Sequence, residues 1–232
     1  MPTDLAAFAL AADQLFPATA PPLPLDTCDE PCCCLPDEQV ALVAGPRLAI
    51  PPQLYWTYCW AAVGQDAQVT AAEIRYFLPR VLAASAAGES PALWEDMVPG
   101  KVGFAEPGIY TAAELALVRD FARALVIHLC HHAEPSPPDE THLGEIIAGL
   151  ACGGLGITAE LLTLWREHGA APLARAHFAA MTADLPPNPT PADWRAALWL
   201  RADNTPAGLL ADLDAWYHDP ATSAALTQRV RG

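Results

Sequence analysis

Hydrophobic residues recur at the three- and four-residue spacing of α-helices along most of this chain. In the stretch from Thr70 to Ala87, apolar residues at this spacing define one helical face: Ile74, Phe77, Leu78, Val81 and Leu82. Thr70 is followed three residues later by Glu73, which is the spacing of a capping box and predicts a helix start. Pro79 lies inside the apolar run and removes a backbone donor, so we expect a kink or a break at Leu78–Pro79.

Further helix signals follow along the chain. Thr111 and Glu114 form a second capping box, which predicts the longest helix, with a stripe of Leu115, Val118, Ala122, Leu125 and Leu129 flanked by Phe121. Thr190–Pro191 predicts a helix that contains Trp194 and Trp199, Thr205–Pro206 predicts another start, and Gly153–Gly154 predicts a stop.

Alternating runs of β-branched residues are missing, so the predicted fold class is all-α. We expect a multi-helical domain of stacked or irregularly packed antiparallel helices. The sequence shows no fixed repeat period, which leaves a solenoid and a single irregular domain as alternatives.

The predicted domain organisation has two parts. Residues 1–35 combine a short amphipathic helix, Asp4 to Leu15, with a segment rich in proline and cysteine, and residues 36–232 form one all-helical domain. Asp4 and Asp13 interrupt the first apolar stretch, and no basic region precedes it. We therefore expect an amphipathic helix here rather than a signal peptide.

Charge narrows the range of partners. The chain carries 27 acidic against 12 basic residues, a formal net charge of −15, and is 53% hydrophobic. Such a surface repels nucleic-acid backbones and attracts a basic protein. No run approaches the ~18 uncharged apolar residues that a membrane span requires. We therefore expect a cytoplasmic protein that binds neither nucleic acid nor membrane.

The most unusual local feature is the cysteine cluster Cys28, Cys32, Cys33 and Cys34. Cys28 and Cys32 have a spacing that suits a zinc ligand pair on a turn, and a second local pair is missing. His128 and His132, four residues apart on one helix face, are the candidates to complete the site. The alternative is that these cysteines pack as small apolar groups, because free cysteine is among the most buried residues.

Arg75, Tyr76 and Arg80 are a second candidate site, because they flank the predicted bend at Pro79. One interpretation is that the bend displays them to a partner. The other is that Tyr76 belongs to the core and both arginines pair with neighbouring carboxylates. No nucleophile elbow or paired catalytic acid and base is evident, so no catalytic residue is predicted.

The segments CDEPCCCLPDE, LYWTYCWAAVG and IRYFLPRVLA, in that order, resemble a bacterial family with a cysteine-rich segment before a helix and an FLPR-I/V-L motif. The resemblance spans Cys28 to Ala87 and continues more weakly to Leu185. It departs between Gly64 and Ile74, where the family carries Trp-Gly and an acidic run. The resemblance implies a helical bacterial protein and assigns no catalytic residue.

These observations favour a non-enzymatic protein-interaction module, adaptor- or immunity-like, with an acidic surface for a basic partner. The alternative is a zinc-binding or thiol-redox protein that uses Cys28 to Cys34. A third hypothesis is an enzyme whose pocket is assembled from distant helices.

Overall fold

The computed structural model describes residues 4–27, 34–61, 66–89, 101–132, 143–200 and 205–227. Within these ranges the regular elements are eleven α-helices and one 3₁₀ turn, Arg47–Ala49, which confirms the all-α prediction. The helices are α1 Leu5–Leu15, α2 Pro36–Val43, α3 Pro52–Trp60, α4 Ala67–Ala86, α5 Ala112–His131, α6 Leu143–Cys152, α7 Thr158–Glu167, α8 Pro172–Thr182, α9 Pro191–Ala197, α10 Ala207–His218 and α11 Pro220–Leu226.

Local capping signals predicted most of these starts correctly. Thr111 and Glu114 form the predicted capping box of α5, and Thr190 forms one with Asp193 at α9. The predicted apolar face of α4 lies in the core, as does most of the α5 stripe. Propensity, caps and burial therefore agree for α5, which is the consistency expected of a well-defined fold.

The predicted N-cap of α4, Thr70, is wrong by four residues. Asp66 is the N-cap, and its carboxylate accepts hydrogen bonds from the amides of Gln68 and Val69. Thr70 and Glu73 do not cap each other, because both are engaged by a distant segment. The Thr70 hydroxyl donates to the Asp26 carboxylate at 2.6 Å, and Glu73 accepts the Asp26 amide at 2.8 Å.

Of the kink or break predicted at Leu78–Pro79, the break is absent. Helix α4 continues through Pro79 to Ala86. A proline costs this helix one backbone hydrogen bond, roughly 3 kcal/mol in an isolated helix interior. The surrounding residues offset this cost, because Phe77, Leu78, Val81 and Leu82 are all fully buried.

Helix α1 connects the part of the core formed by α4 with the part formed by α5 and later helices. It packs against α4 and also against α5, and α5 in turn contacts α7 and α8. In a solenoid each unit contacts only its neighbours, so these pairings indicate irregularly packed helices. Leu5, Phe16 and Leu25 belong to the same hydrophobic core as the later helices. The predicted segments 1–35 and 36–232 therefore share one core in the part of the chain described.

Candidate functional site

Arg75 is held in a bidentate salt bridge. Its Nε and Nη2 donate to the buried carboxylate of Glu114 at 2.8–3.0 Å. Glu114 also accepts the amide and hydroxyl of Thr111 at 2.7 and 2.9 Å. The pair therefore ties α4 to the start of α5, since a planar guanidinium matches a carboxylate with two parallel bonds.

Tyr76 and Arg80 lie inside the protein, with 5% and 4% of their surface exposed. The Arg80 guanidinium donates to the Ile50 carbonyl at 2.8 Å and to Glu89 at 2.7 Å. Tyr76 is in edge-to-face contact with Phe77. Neither side chain is displayed on the surface, so the contacts fit the interpretation in which Tyr76 is core and the arginines pair with carboxylates.

Of the cysteine cluster, only Cys34 lies within the described residues, where it is buried; Cys28, Cys32 and Cys33 lie outside them. Thr27 and Cys34, the described residues that flank positions 28–33, share one hydrogen-bond partner. The Gln39 amide nitrogen donates to the Thr27 hydroxyl at 3.3 Å and to the Cys34 carbonyl at 3.1 Å. Gln39 thus holds together the two described residues on either side of positions 28–33.

The histidines gather at the end of α5. His128 and His132, which were predicted to lie on one helix face, stack with ring centroids 4.5 Å apart, although His132 is the C-cap that follows α5. His131 Nε2 lies 2.9 Å from His168 Nδ1, which connects α5 to the end of α7. Among the residues described, no three His, Cys, Asp or Glu side chains form a group suited to a metal ion.

Three other thiols have strongly raised pKa values. Burial raises the pKa of Cys59 and of Cys130 to about 12, and that of Cys152 to about 11. For Cys59, Tyr55 and Lys101 act in the opposite direction but do not overcome burial. These thiols stay protonated at neutral pH, and the thiol form is a poor nucleophile and a poor metal ligand.

A buried polar cluster around Glu73 was not predicted. The Tyr58 hydroxyl donates to Glu73 at 3.1 Å, and the Lys101 ammonium donates to the Tyr58 carbonyl at 2.7 Å. Burial raises the pKa of Glu73, although the Asp26 amide and the Tyr58 hydroxyl oppose the shift. Local sequence gave no signal for it, because its members come from separate segments.

A cavity of about 730 Å³ lies where the starts of α7 and α10 approach the turn after α6. The glycine cluster ACGGLGIT supplies Gly154 and Gly156 to its wall, and α6 ends at Cys152 as predicted. Gly154 has φ +83°, and an added Cβ would lie 2.7 Å from Ala105. The cavity wall also includes Glu160 and Asp212. Arg123 binds both Glu160 oxygens, so this carboxylate is already engaged.

Trp199 is the residue that the sequence interpretation misplaced most. It was expected inside the helix that begins at Pro191, but α9 ends at Ala197. Trp199 has φ 52°, and 80% of its surface is exposed. The left-handed conformation costs a residue with a Cβ roughly 1–2 kcal/mol. The only sequence signal was a helix end without the usual glycine.

No protein family, curated protein or solved structure matches the chain. The resemblance based on FLPRVL therefore stays a prediction.

In the part of the chain described, none of the helices combines the length and apolar character needed to cross a membrane.

Proposed function

We propose that this chain is a non-enzymatic protein-interaction module, adaptor- or immunity-like, whose acidic surface binds a basic region of a protein partner. The observation that carries the proposal is that most of the described basic residues already bind groups of the chain itself. Nine of the twelve basic residues fall within the described ranges. Eight of these nine donate hydrogen bonds to carboxylates or backbone carbonyls of the chain itself: Arg47, Arg75, Arg80, Lys101, Arg119, Arg123, Arg166 and Arg175.

Most of these cations serve the fold. Arg47, Arg80 and Lys101 are buried. Arg123 lies between Asp120 and Glu160, at 2.6 and 2.7 Å. Little positive charge is therefore left to offset the carboxylates on the surface.

Several carboxylates remain exposed. Among the described residues, Asp37, Glu167 and Asp184 are exposed and form no ion pair. Uncompensated charge of one sign speeds association with a partner of opposite charge, and salt screens that attraction. The proposal therefore requires a partner with a basic face and an association rate that falls with ionic strength.

The test uses the full chain. Proteins captured on it from the cells that produce it are purified, and each binary complex is reconstituted. Association rates are then measured at low and high salt. We expect a basic partner whose association rate falls at least tenfold at high salt. The triple variant Asp37→Asn, Glu167→Gln and Asp184→Asn should associate several-fold more slowly, whereas the exposed neutral change Gln68→Asn should not.

A reconstituted partner that is acidic, or a rate that does not respond to salt, would contradict this function. Turnover of a substrate that a single side-chain change abolishes would also contradict it.

Zinc binding or thiol-redox chemistry at Cys28, Cys32, Cys33 and Cys34, with His128 and His132 as further ligands, is a second candidate. The observation in its favour is that Gln39 holds Thr27 and Cys34 together, because zinc needs sulfurs that converge at about 2.3 Å. Elemental analysis and thiol titration of the reduced protein test it. One zinc per chain, with fewer than the seven cysteines of the sequence titratable until a chelator is added, would support it. Metal-free protein with all seven titratable would eliminate the zinc site.

A further inference from the structure

We infer that Trp199 is the anchor of the interaction surface, inserted into an apolar pocket of the partner that is bordered by Lys or Arg. This inference rests on the proposed function. The first observation is the exposure of the side chain. The other tryptophans with described side chains are half-buried or buried, and Trp194 has 1% of its surface exposed, whereas Trp199 has 80% exposed.

The backbone presents the indole at the end of α9. The Trp199 amide donates to the Ala196 carbonyl at 3.4 Å, and the Leu200 amide donates to the Arg195 carbonyl at 2.9 Å. These two bonds form a Schellman motif, in which the left-handed position usually carries glycine. Here the position carries the largest side chain, with φ 52°.

Neither packing nor helix termination explains this choice. Trp199 does not belong to the hydrophobic core, although its neighbour Leu198 does. Glycine would end the helix with less strain. A role outside the free protein accounts for both unfavourable features, because tryptophan is enriched among the residues that dominate binding energy.

Charge and ring chemistry together define the occupant. The chain carries a net charge of −15, so a basic partner is attracted. The face of an indole is also the best aromatic site for a Lys or Arg cation. We therefore commit to a basic segment that carries an apolar side chain beside its cations.

The probe is a set of synthetic dodecapeptides selected from a random library on the wild-type chain. Their Kd is measured by fluorescence anisotropy for wild type, Trp199→Gly and Trp199→Ala. We expect basic peptides, and at least tenfold weaker binding for both variants. Leu10→Ser changes another exposed apolar residue, 60% exposed, and should stay within twofold of wild type. Urea midpoints exclude misfolding, because Trp199→Gly should be no less stable than wild type.

Each result that contradicts the inference has a different consequence for the proposed function. Basic peptides that bind Trp199→Gly as tightly as wild type would overturn the anchor and leave the acidic module intact. Selection of no basic peptides would overturn the proposed function, and the anchor with it. A wild-type dimer that Trp199→Gly converts to a monomer, seen by sedimentation, would replace the basic partner with a second copy of the chain.

Discussion

Up to residue 101 the interior holds many polar and charged side chains, whereas from residue 158 onward the buried side chains are mainly apolar and include a cluster of aromatic rings. The first region buries Thr27, Gln39, Arg47, Thr70, Glu73, Arg80, Ser85 and Lys101. The second buries two polar residues among those described, His177 and Thr222. Its rings contact one another at centroid distances of 5.0–6.4 Å: Trp165, Phe178, Trp194, Trp216 and Tyr217.

The difference follows from how the helices are connected. In the first region, irregular backbone after α1 and around the 3₁₀ turn offers carbonyls that no helix satisfies, and buried carbonyls need donors. Arg47 donates to the carbonyls of Asp13 in the last turn of α1, of Phe16 and Pro17 just after it, and of Tyr76 within α4. In the second region short turns join α7 to α8 and α10 to α11, so apolar ring packing is sufficient.

The largest expected effect comes from Arg47→Met. Arg47 is 5% exposed and binds the Asp13 carboxylate at 2.6 Å as well as those carbonyls. Its loss leaves several buried acceptors without a donor, so we expect the free energy of unfolding to fall by about 3 kcal/mol or more. Urea unfolding followed by circular dichroism measures this.

Arg195→Met is the matched control, since Arg195 is half-buried and should change stability by less than about 0.5 kcal/mol. Arg47→Lys should recover only part of the loss, because an ammonium lacks the planar fork. Equal stability of the Arg47 and Arg195 variants would remove the contrast between the two regions.

His177 is one of the two buried polar residues described in the second region, and it makes the stability of the protein depend on pH. The Leu143 amide donates to its Nδ1 at 3.3 Å, and burial lowers its pKa from 6.5 to about 4, although a bond to the Leu129 backbone opposes the shift. Between these values the unfolded chain binds more protons. Stability is therefore present above pH 6.5 and lost as pH falls to about 4, by about 3 kcal/mol.

Carboxylates titrate in the same range, so the comparison is with His177→Gln. The difference in unfolding free energy between wild type and this variant should shrink or reverse as pH falls from 7 to 4. A difference that stays constant with pH would show that His177 does not titrate as a buried neutral ring.

A smaller effect separates Trp165 and Trp216, two tryptophans whose ring centroids lie 5.0 Å apart. Trp165 Nε1 donates to the Ala174 carbonyl at 3.0 Å, whereas the buried Nε1 of Trp216 has no partner among the described residues. Trp165→Phe and Trp216→Phe remove similar volumes. We expect the first to cost about 1 kcal/mol more in thermal or urea unfolding, because it also removes a buried hydrogen bond. Equal costs would mean that the hydrogen bond adds nothing to ring packing.

The features that the sequence predicted correctly are those set by interactions between residues close together in the chain. The capping box at Thr111, the helix start at Thr190–Pro191 and the glycine stop after Cys152 were confirmed because their partners lie within a few residues. Thr70 failed because its hydroxyl binds Asp26, which is 44 residues away in sequence. One interpretation of the sequence displayed Tyr76 and Arg80 to a partner, whereas the structure buries both. The reason is similar: the Arg80 guanidinium donates to the Ile50 carbonyl, and no local pattern reveals that contact.

Trp199→Gly has an expected effect of similar size, but its sign is opposite to that of the others. Glycine adopts the left-handed conformation without a Cβ penalty, and the exposed indole contributes little burial. We expect the free energy of unfolding to rise by roughly 1 kcal/mol. Trp199→Ala is the matched control, because it removes the indole but keeps the Cβ and should gain nothing. Urea unfolding of both variants would show whether the backbone at the end of α9 is strained, and a loss of stability in Trp199→Gly would show that the indole stabilises the free protein. A gain would mean that here, unlike at Arg47 or Trp165, the chain keeps a side chain that its own fold does not need.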